Sequence, residues 1–176
     1  MYQDLETVRK ALEEVLEGSI VKSIFGSSAD TYWIPPTDAE AQFVRMRERD
    51  GIRQITVKAR DKGSNINRLE VDVDSTSEVS KITRLLNALF GRSAGQISKT
   101  YHVYWPSDHE HTNVCAYSVI RDGTPIEHVI VEIETTSMQR LETMDEQIIP
   151  RLRDKGLVVD RAPGSLFEMF IEKKEY

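Results

Sequence analysis

Charged side chains recur at every second position along five short runs of this chain, and their types suit polyanions and hard cations. Arg45 and Arg47 share one face of Phe43–Arg49, and Thr56, Lys58 and Arg60 share one face of Gln54–Arg60. Arg68, Glu70, Asp72 and Asp74 line one face of Arg68–Asp74, Lys99 lies in Ile97–Tyr104, and Glu132 and Glu134 share a face of Val129–Thr135. A guanidinium offers a planar two-point contact to an oxyanion and an ammonium offers a point charge. Carboxylates supply the oxygen ligands that hard divalent ions take. Successive side chains of a strand point to opposite faces, so each run has a charged face and an apolar one. The apolar partners are Val44/Met46, Ile55/Val57, Leu69/Val71/Val73 and Val129/Val131/Ile133. Such a sheet either leaves its charges in water as weak cross-strand pairs or curls them inward around a charged ligand.

The elements that must position these residues follow from periodicity and punctuation. Tyr2–Leu16 reads as an amphipathic helix, with Leu5, Val8, Ala11, Leu12, Val15 and Leu16 at spacings of three and four and Gly18 beyond its end. Ser19–Phe25 and Asp30–Ile34 read as two strands separated by a turn at Gly26-Ser27-Ser28. Asp50-Gly51 joins two alternating runs as a hairpin, and Arg68–Asp74 follows a polar loop. Ser77–Phe90 predicts a second helix with Val79, Ile82, Leu85, Leu86 and Leu89 on one face. Strands are expected over Ile97–Trp105, Asn113–Arg121 and Ile126–Thr135, then a helix over Ser137–Lys155 interrupted near Pro150, and a closing strand over Ser165–Glu172. This order, with its tight antiparallel connections, predicts an α+β fold built on an antiparallel sheet. Three amphipathic helices would cover the outside of a curled sheet and leave its charged faces inside.

At 176 residues the chain has the size of a single domain, residues 1–176, with a real core. Its net charge of -6 argues against broad nucleic-acid binding, which needs a basic face. The lone Cys115 excludes an internal disulfide, suits a cytoplasmic location, and reads as core within Val114–Ala116. No run has the length and apolarity of a membrane span, and the first residues lack a signal core. His109-Glu110-His111 lacks the helical spacing of a zinc protease, and His128 is the one histidine sharing a face with Glu132. Walker loops, nucleophile elbows and glycine-rich dinucleotide turns are all missing from the sequence.

Taken together, Asp30-Thr31-Tyr32-Trp33, Val44-Arg45-Met46-Arg47, Ile55-Thr56-Val57-Lys58, Arg68-Leu69-Glu70-Val71-Asp72, Ser98-Lys99 and Val131-Glu132-Ile133-Glu134 resemble, in order and spacing, the CYTH family. That family takes its name from class IV adenylate cyclase and thiamine triphosphatase and belongs to the triphosphate tunnel metalloenzymes. The resemblance runs from about Asp30 to Glu134 and implies an eight-stranded antiparallel β-barrel, or tunnel, with amphipathic helices on its outside. It implies that Arg45, Arg47, Lys58, Arg68 and Lys99 bind a triphosphate, and that Glu132 and Glu134 hold Mg2+ or Mn2+. Lys58, Glu70 and Asp72 would complete the catalytic set, the two acids placing metal or water. The activity implied is hydrolysis of inorganic triphosphate or a nucleoside triphosphate. The alternatives are a cyclase forming cyclic AMP and a degenerate tunnel that binds a nucleotide or polyphosphate without turnover. The family resemblance also leaves room for a homodimer.

The chain departs from the family pattern at three points. No strand carrying Glu-x-Glu-x-Lys precedes the first helix, Thr100-Tyr101-His102 replaces an arginine after Lys99, and Ala116-Tyr117-Ser118 stands near an expected aspartate. One compensation is a final strand that turns Glu168, Glu172 and Lys174 toward the site; the alternative is lost turnover.

Overall fold

The structure is a computed structural model describing residues 4–49, 51–59, 70–106, 111–162 and 164–171. Among these residues the chain forms α1 (Leu5–Val15), β1 (Ile20–Trp33), β2 (Ala41–Arg49), β3 (Ile52–Ala59), β4 (Glu70–Ser75) and α2 (Val79–Phe90). It continues through β5 (Gly95–Pro106), β6 (Asn113–Arg121), β7 (Thr124–Glu134), α3 (Met138–Asp154) and α4 (Leu166–Phe170). The strands are hydrogen-bonded in the order β4-β3-β2-β1-β5-β6-β7. The fold is therefore the expected α+β antiparallel sheet with helices. Seven strands are present among the described residues, against the eight implied, and none of these pairings joins β4 to β7.

The chain divides into two compact units: Met1–Ser27 with Lys99–Pro163, and Ser28–Ser98 with Gly164–Tyr176. The first has its core where α1 and α3 cover β6 and β7. Val8, Ala11, Leu12, Val15 and Leu16 of the α1 segment pack with Met144, Ile148 and Leu152 of α3 and with Val114 and Ala116 of β6. Val129, Val131 and Ile133 join them from β7, so the Glu132 side of that strand turns away from the helices. Asp4 caps α1 by accepting the Thr7 N–H at 2.7 Å. The β6–β7 hairpin turns at Asp122-Gly123, both with positive φ, as a type I′ connection requires.

In the second unit, α2 lays Ile82 and Leu86 on Trp33, Val44 and Met46, with Val79, Phe90 and Ile55 packed around them. The Trp33 indole N–H donates to Asn87 at 2.9 Å. On the opposite side of β1 and β2, α4 inserts Phe167, stacked on Phe43 at 4.5 Å and set 5.9 Å from Tyr32.

Several expectations need correction. β1 is one continuous strand, not two strands around a turn, because Gly26 serves a close approach. A Cβ there would stand 2.7 Å from the Tyr101 hydroxyl. The expected closing strand is the helix α4, started by a capping box in which Ser165 and Glu168 exchange side-chain and backbone hydrogen bonds. α3 runs through Pro150 without a break. Leu85 and Leu89 stay exposed on α2, and the cluster under that helix reaches only as far across the sheet as Ile55. Val71 and Val73, at 49 % and 55 % exposure, are therefore not sheathed as the alternation suggested.

Candidate functional site

Strand register decides which charged side chains meet. In the second unit, three rows cross the sheet: Asp30, Arg47, Gln54 and Asp74; Tyr32, Arg45, Thr56 and Asp72; and Phe43, Lys58 and Glu70. Because side chains alternate, all three rows lie on the face away from α2. The predicted residues Arg45, Arg47, Lys58, Glu70 and Asp72 are thus brought together as neighbours. Arg68, Glu172 and Lys174 lie outside the described residues.

Within this face the cations and carboxylates form an ordered network. Arg45 Nη2 donates to Thr56 Oγ1 at 2.9 Å, and the same hydroxyl donates to Asp72 Oδ1 at 2.5 Å. Thr56 is fully buried, so its single hydroxyl has a fixed environment and relays between the cation and the acid. Glu70 stands between two cations, 3.1 Å from Lys58 Nζ and 3.7 Å from Arg45 Nη2. Arg45 Nε is buried and, among the described residues, has no hydrogen-bond partner. A buried donor left unmatched is costly, and a ligand oxygen is one group that could satisfy it.

Asp30 and Tyr32 support this network. Arg47 Nε and Nη2 donate to the two oxygens of Asp30 at 2.7 and 2.8 Å, and Asp30 is fully buried. The Tyr32 hydroxyl lies 3.5 Å from Asp30 Oδ2. Burial, with the Asp30 charge as a second cause, pushes the Tyr32 phenol well above its ordinary range, so it stays protonated. Neither role was read from the sequence, although Asp30 and Tyr32 share a strand parity and Thr56 shares one with Lys58.

In the first unit, Glu132 lies across from Cys115 and Glu134 across from Asn113. Tyr117 donates its hydroxyl to Glu132 Oε2 at 3.1 Å, and Asn113 Nδ2 donates to Glu134 Oε2 at 2.9 Å. The Lys99 ammonium sits 5.3 Å from the centre of the Tyr117 ring. Lys99 and Glu132 therefore meet through one phenol. Cys115, expected as core, is half-buried on the Glu132 side of β6. Glu168, offered as a compensating acid, belongs to the α4 capping box and accepts the Ser165 N–H at 2.7 Å.

Among the described residues, no group of three His, Cys, Asp or Glu side chains is arranged to hold an ion unaided. Magnesium commonly uses one or two carboxylates and draws its other ligands from water and substrate phosphates. Glu132 and Glu134, exposed and two residues apart on one strand, are a donor set of that kind.

No family model matches the chain, and no curated protein matches its sequence. Solved structures do match its fold. The PH1012 protein from Pyrococcus horikoshii OT3 is 17% identical, with a TM-score of 0.67 over 96% of this chain and 94% of that one. A conserved hypothetical protein from Pyrococcus furiosus is 20% identical, with a TM-score of 0.66 over 96% and 95%. A candidate adenylyl cyclase from Hippeastrum, with a dominant triphosphatase activity, is 18% identical, with a TM-score of 0.60 over 93% and 89%. The chain shares their fold. No described helix is long and apolar enough to cross a membrane.

Proposed function

We infer that this chain is a divergent CYTH protein that binds a triphosphate and hydrolyses its terminal phosphoanhydride with Mg2+ or Mn2+. The observation that carries this reading is the Arg45–Thr56–Asp72 and Lys58–Glu70 network, which gathers cations, a buried hydroxyl and a guanidinium N–H unmatched among the described residues on one strand face. Fold kinship with the Hippeastrum protein supports the substrate class.

In this reading Arg45 and Lys58, with Arg47, Arg68 and Lys99, take the phosphate oxygens. Phosphoryl transfer depends mostly on positioning and on stabilising charge, so fixed cations are the main requirement. Arg47 contributes charge from a held position, since Asp30 fixes its guanidinium. Glu70 would leave Lys58 as the substrate arrives, and with Asp72 it would orient the attacking water. Glu132 and Glu134 would hold the divalent ion, which would supply charge neutralisation on the phosphate.

A second reading is a binding protein without turnover. It is favoured by Ala116-Tyr117-Ser118, which stands where the resemblance implies a supporting aspartate. Cyclisation of a nucleotide is the remaining alternative, and it would use the same cations.

Phosphate release with Mg2+ or Mn2+ from inorganic triphosphate and a nucleoside triphosphate panel separates these readings. Release that is lost in Glu132→Ala supports hydrolysis. A cyclic nucleotide product identifies the cyclase, and saturable binding without release identifies the binder. Neither binding nor release rejects all three.

A further inference from the structure

We propose that Tyr117 is a positioning residue that sets Glu132 and Lys99 as a matched pair, a carboxylate for a divalent cation and an ammonium for the phosphate it accompanies. The inference rests on the triphosphate reading and assigns a residue that the strand alternation does not single out.

Three observations converge on this side chain. Tyr117 is almost wholly buried, so its ring has little freedom to move. Its hydroxyl donates to Glu132 Oε2 at 3.1 Å. Its ring carries the Lys99 ammonium 5.3 Å from the centroid, within the range of a cation–π contact. Lys99 comes from β5, Tyr117 from β6 and Glu132 from β7, so one phenol links three neighbouring strands of the sheet order.

The chemistry of the link has a direction. An ammonium over the ring withdraws electron density from the phenol and makes its hydroxyl a stronger donor, and the carboxylate that accepts it is correspondingly better fixed. Glu132 is otherwise an exposed strand residue with several rotamers available. Tying down one oxygen leaves Oε1 as the oxygen to offer an ion, and removes part of the ordering cost of binding. Outer partners of metal ligands act in this way, and losing one typically costs about 10- to 100-fold in metal affinity. The phenol thus spaces a fixed positive charge from a fixed negative one, the arrangement suited to a metal–phosphate pair and not to a lone anion.

Two substitutions separate the two halves of the role. Tyr117→Phe keeps the ring and removes the hydroxyl, whereas Tyr117→Leu removes both. Mn2+ affinity is measured by the loss of the free-ion electron paramagnetic resonance signal, in the presence of inorganic triphosphate. Triphosphate affinity without metal is measured by calorimetry. The expected result is that Tyr117→Phe weakens Mn2+ binding about 10-fold and leaves metal-free triphosphate binding within about twofold. Tyr117→Leu should weaken both. Glu132→Asp withdraws the carboxylate from the phenol while keeping its charge, and it guards against a Tyr117 variant that fails to fold. Its loss of Mn2+ affinity should be at least that of Tyr117→Phe, because Glu132 is itself the ligand, and adding Tyr117→Phe to it should cost little more.

Unchanged Mn2+ affinity in a folded Tyr117→Phe, or in Glu132→Asp where that variant does not fold, overturns the assignment while leaving the triphosphate reading intact. Equal weakening of metal-free triphosphate binding in Tyr117→Phe and Tyr117→Leu also overturns it, because the effect would then be general damage. A wild-type protein that binds neither Mn2+ nor triphosphate overturns both the assignment and the function it rests on.

Discussion

Arg47 meets Asp30 through two parallel hydrogen bonds of 2.7 and 2.8 Å, and the carboxylate is sealed from solvent while the guanidinium is only partly so. That asymmetry makes the two halves of the pair unequal. Removing Arg47 as Arg47→Met takes the two-point cation from a buried carboxylate, a change that typically costs about 3–5 kcal/mol. Asp30→Asn keeps an acceptor and lets the arginine turn toward water, so its expected cost is smaller, about 1–3 kcal/mol. Urea unfolding of the two variants checks the order. A larger loss in Asp30→Asn than in Arg47→Met would show that the pair is not held as described.

Gly26 and Tyr101 give a second, purely steric prediction. A methyl group at Gly26 would lie 2.7 Å from the Tyr101 hydroxyl and 2.9 Å from the ring carbon that bears it. Tyr101 is buried and has little room to retreat. Gly26→Ala should therefore destabilise by about 1–3 kcal/mol, the usual cost of overpacking. Adding Tyr101→Leu should recover part of that loss, which thermal unfolding of the single and double variants will show. Equal stability of Gly26→Ala and wild type would contradict the contact.

His102 should impose a pH dependence on stability. Burial, and next the Arg9 charge, hold its pKa below the ordinary imidazole value of 6.5. Between the folded and unfolded pKa values the unfolded chain binds more protons, so the contribution is complete above about pH 6.5 and is lost as pH falls through the lowered folded value. The groups acting on it are Arg9, Glu13 and Glu6, and the Phe25 ring stands 4.7 Å away. Thermal midpoints followed from pH 8 to pH 5 should fall more steeply in wild type than in His102→Gln. Parallel curves would remove His102 from the account.

Alternation made much of the architecture legible in the sequence. The β2–β3 hairpin, the acidic β4 and the Glu132–Glu134 strand all follow from a period of two with turn residues between runs, and α1 follows from spacings of three and four. What the sequence hid was mostly how one element meets another. Gly26 carries a turn signature, and only the approach of Tyr101 explains why it stays extended. Ser165-Leu166-Phe167-Glu168 does contain a capping box, but alternation around Glu168 masked it. The roles of Thr56, Asp30 and Tyr117 depend on register between neighbouring strands, which a single strand's pattern does not contain.

The most direct test of the proposed triphosphate site is calorimetric titration of inorganic triphosphate into the metal-free protein, comparing wild type with Arg45→Met and Thr56→Val. Arg45→Met removes the guanidinium whose Nε has no partner among the described residues, and Thr56→Val removes the buried hydroxyl that orients it. Wild type should bind saturably at one equivalent. Loss of a charged hydrogen-bond donor should weaken affinity about 10- to 100-fold in Arg45→Met, with a smaller loss in Thr56→Val. Undetectable binding by wild type, or an Arg45→Met affinity equal to it, would contradict the proposal that this strand face grips a triphosphate.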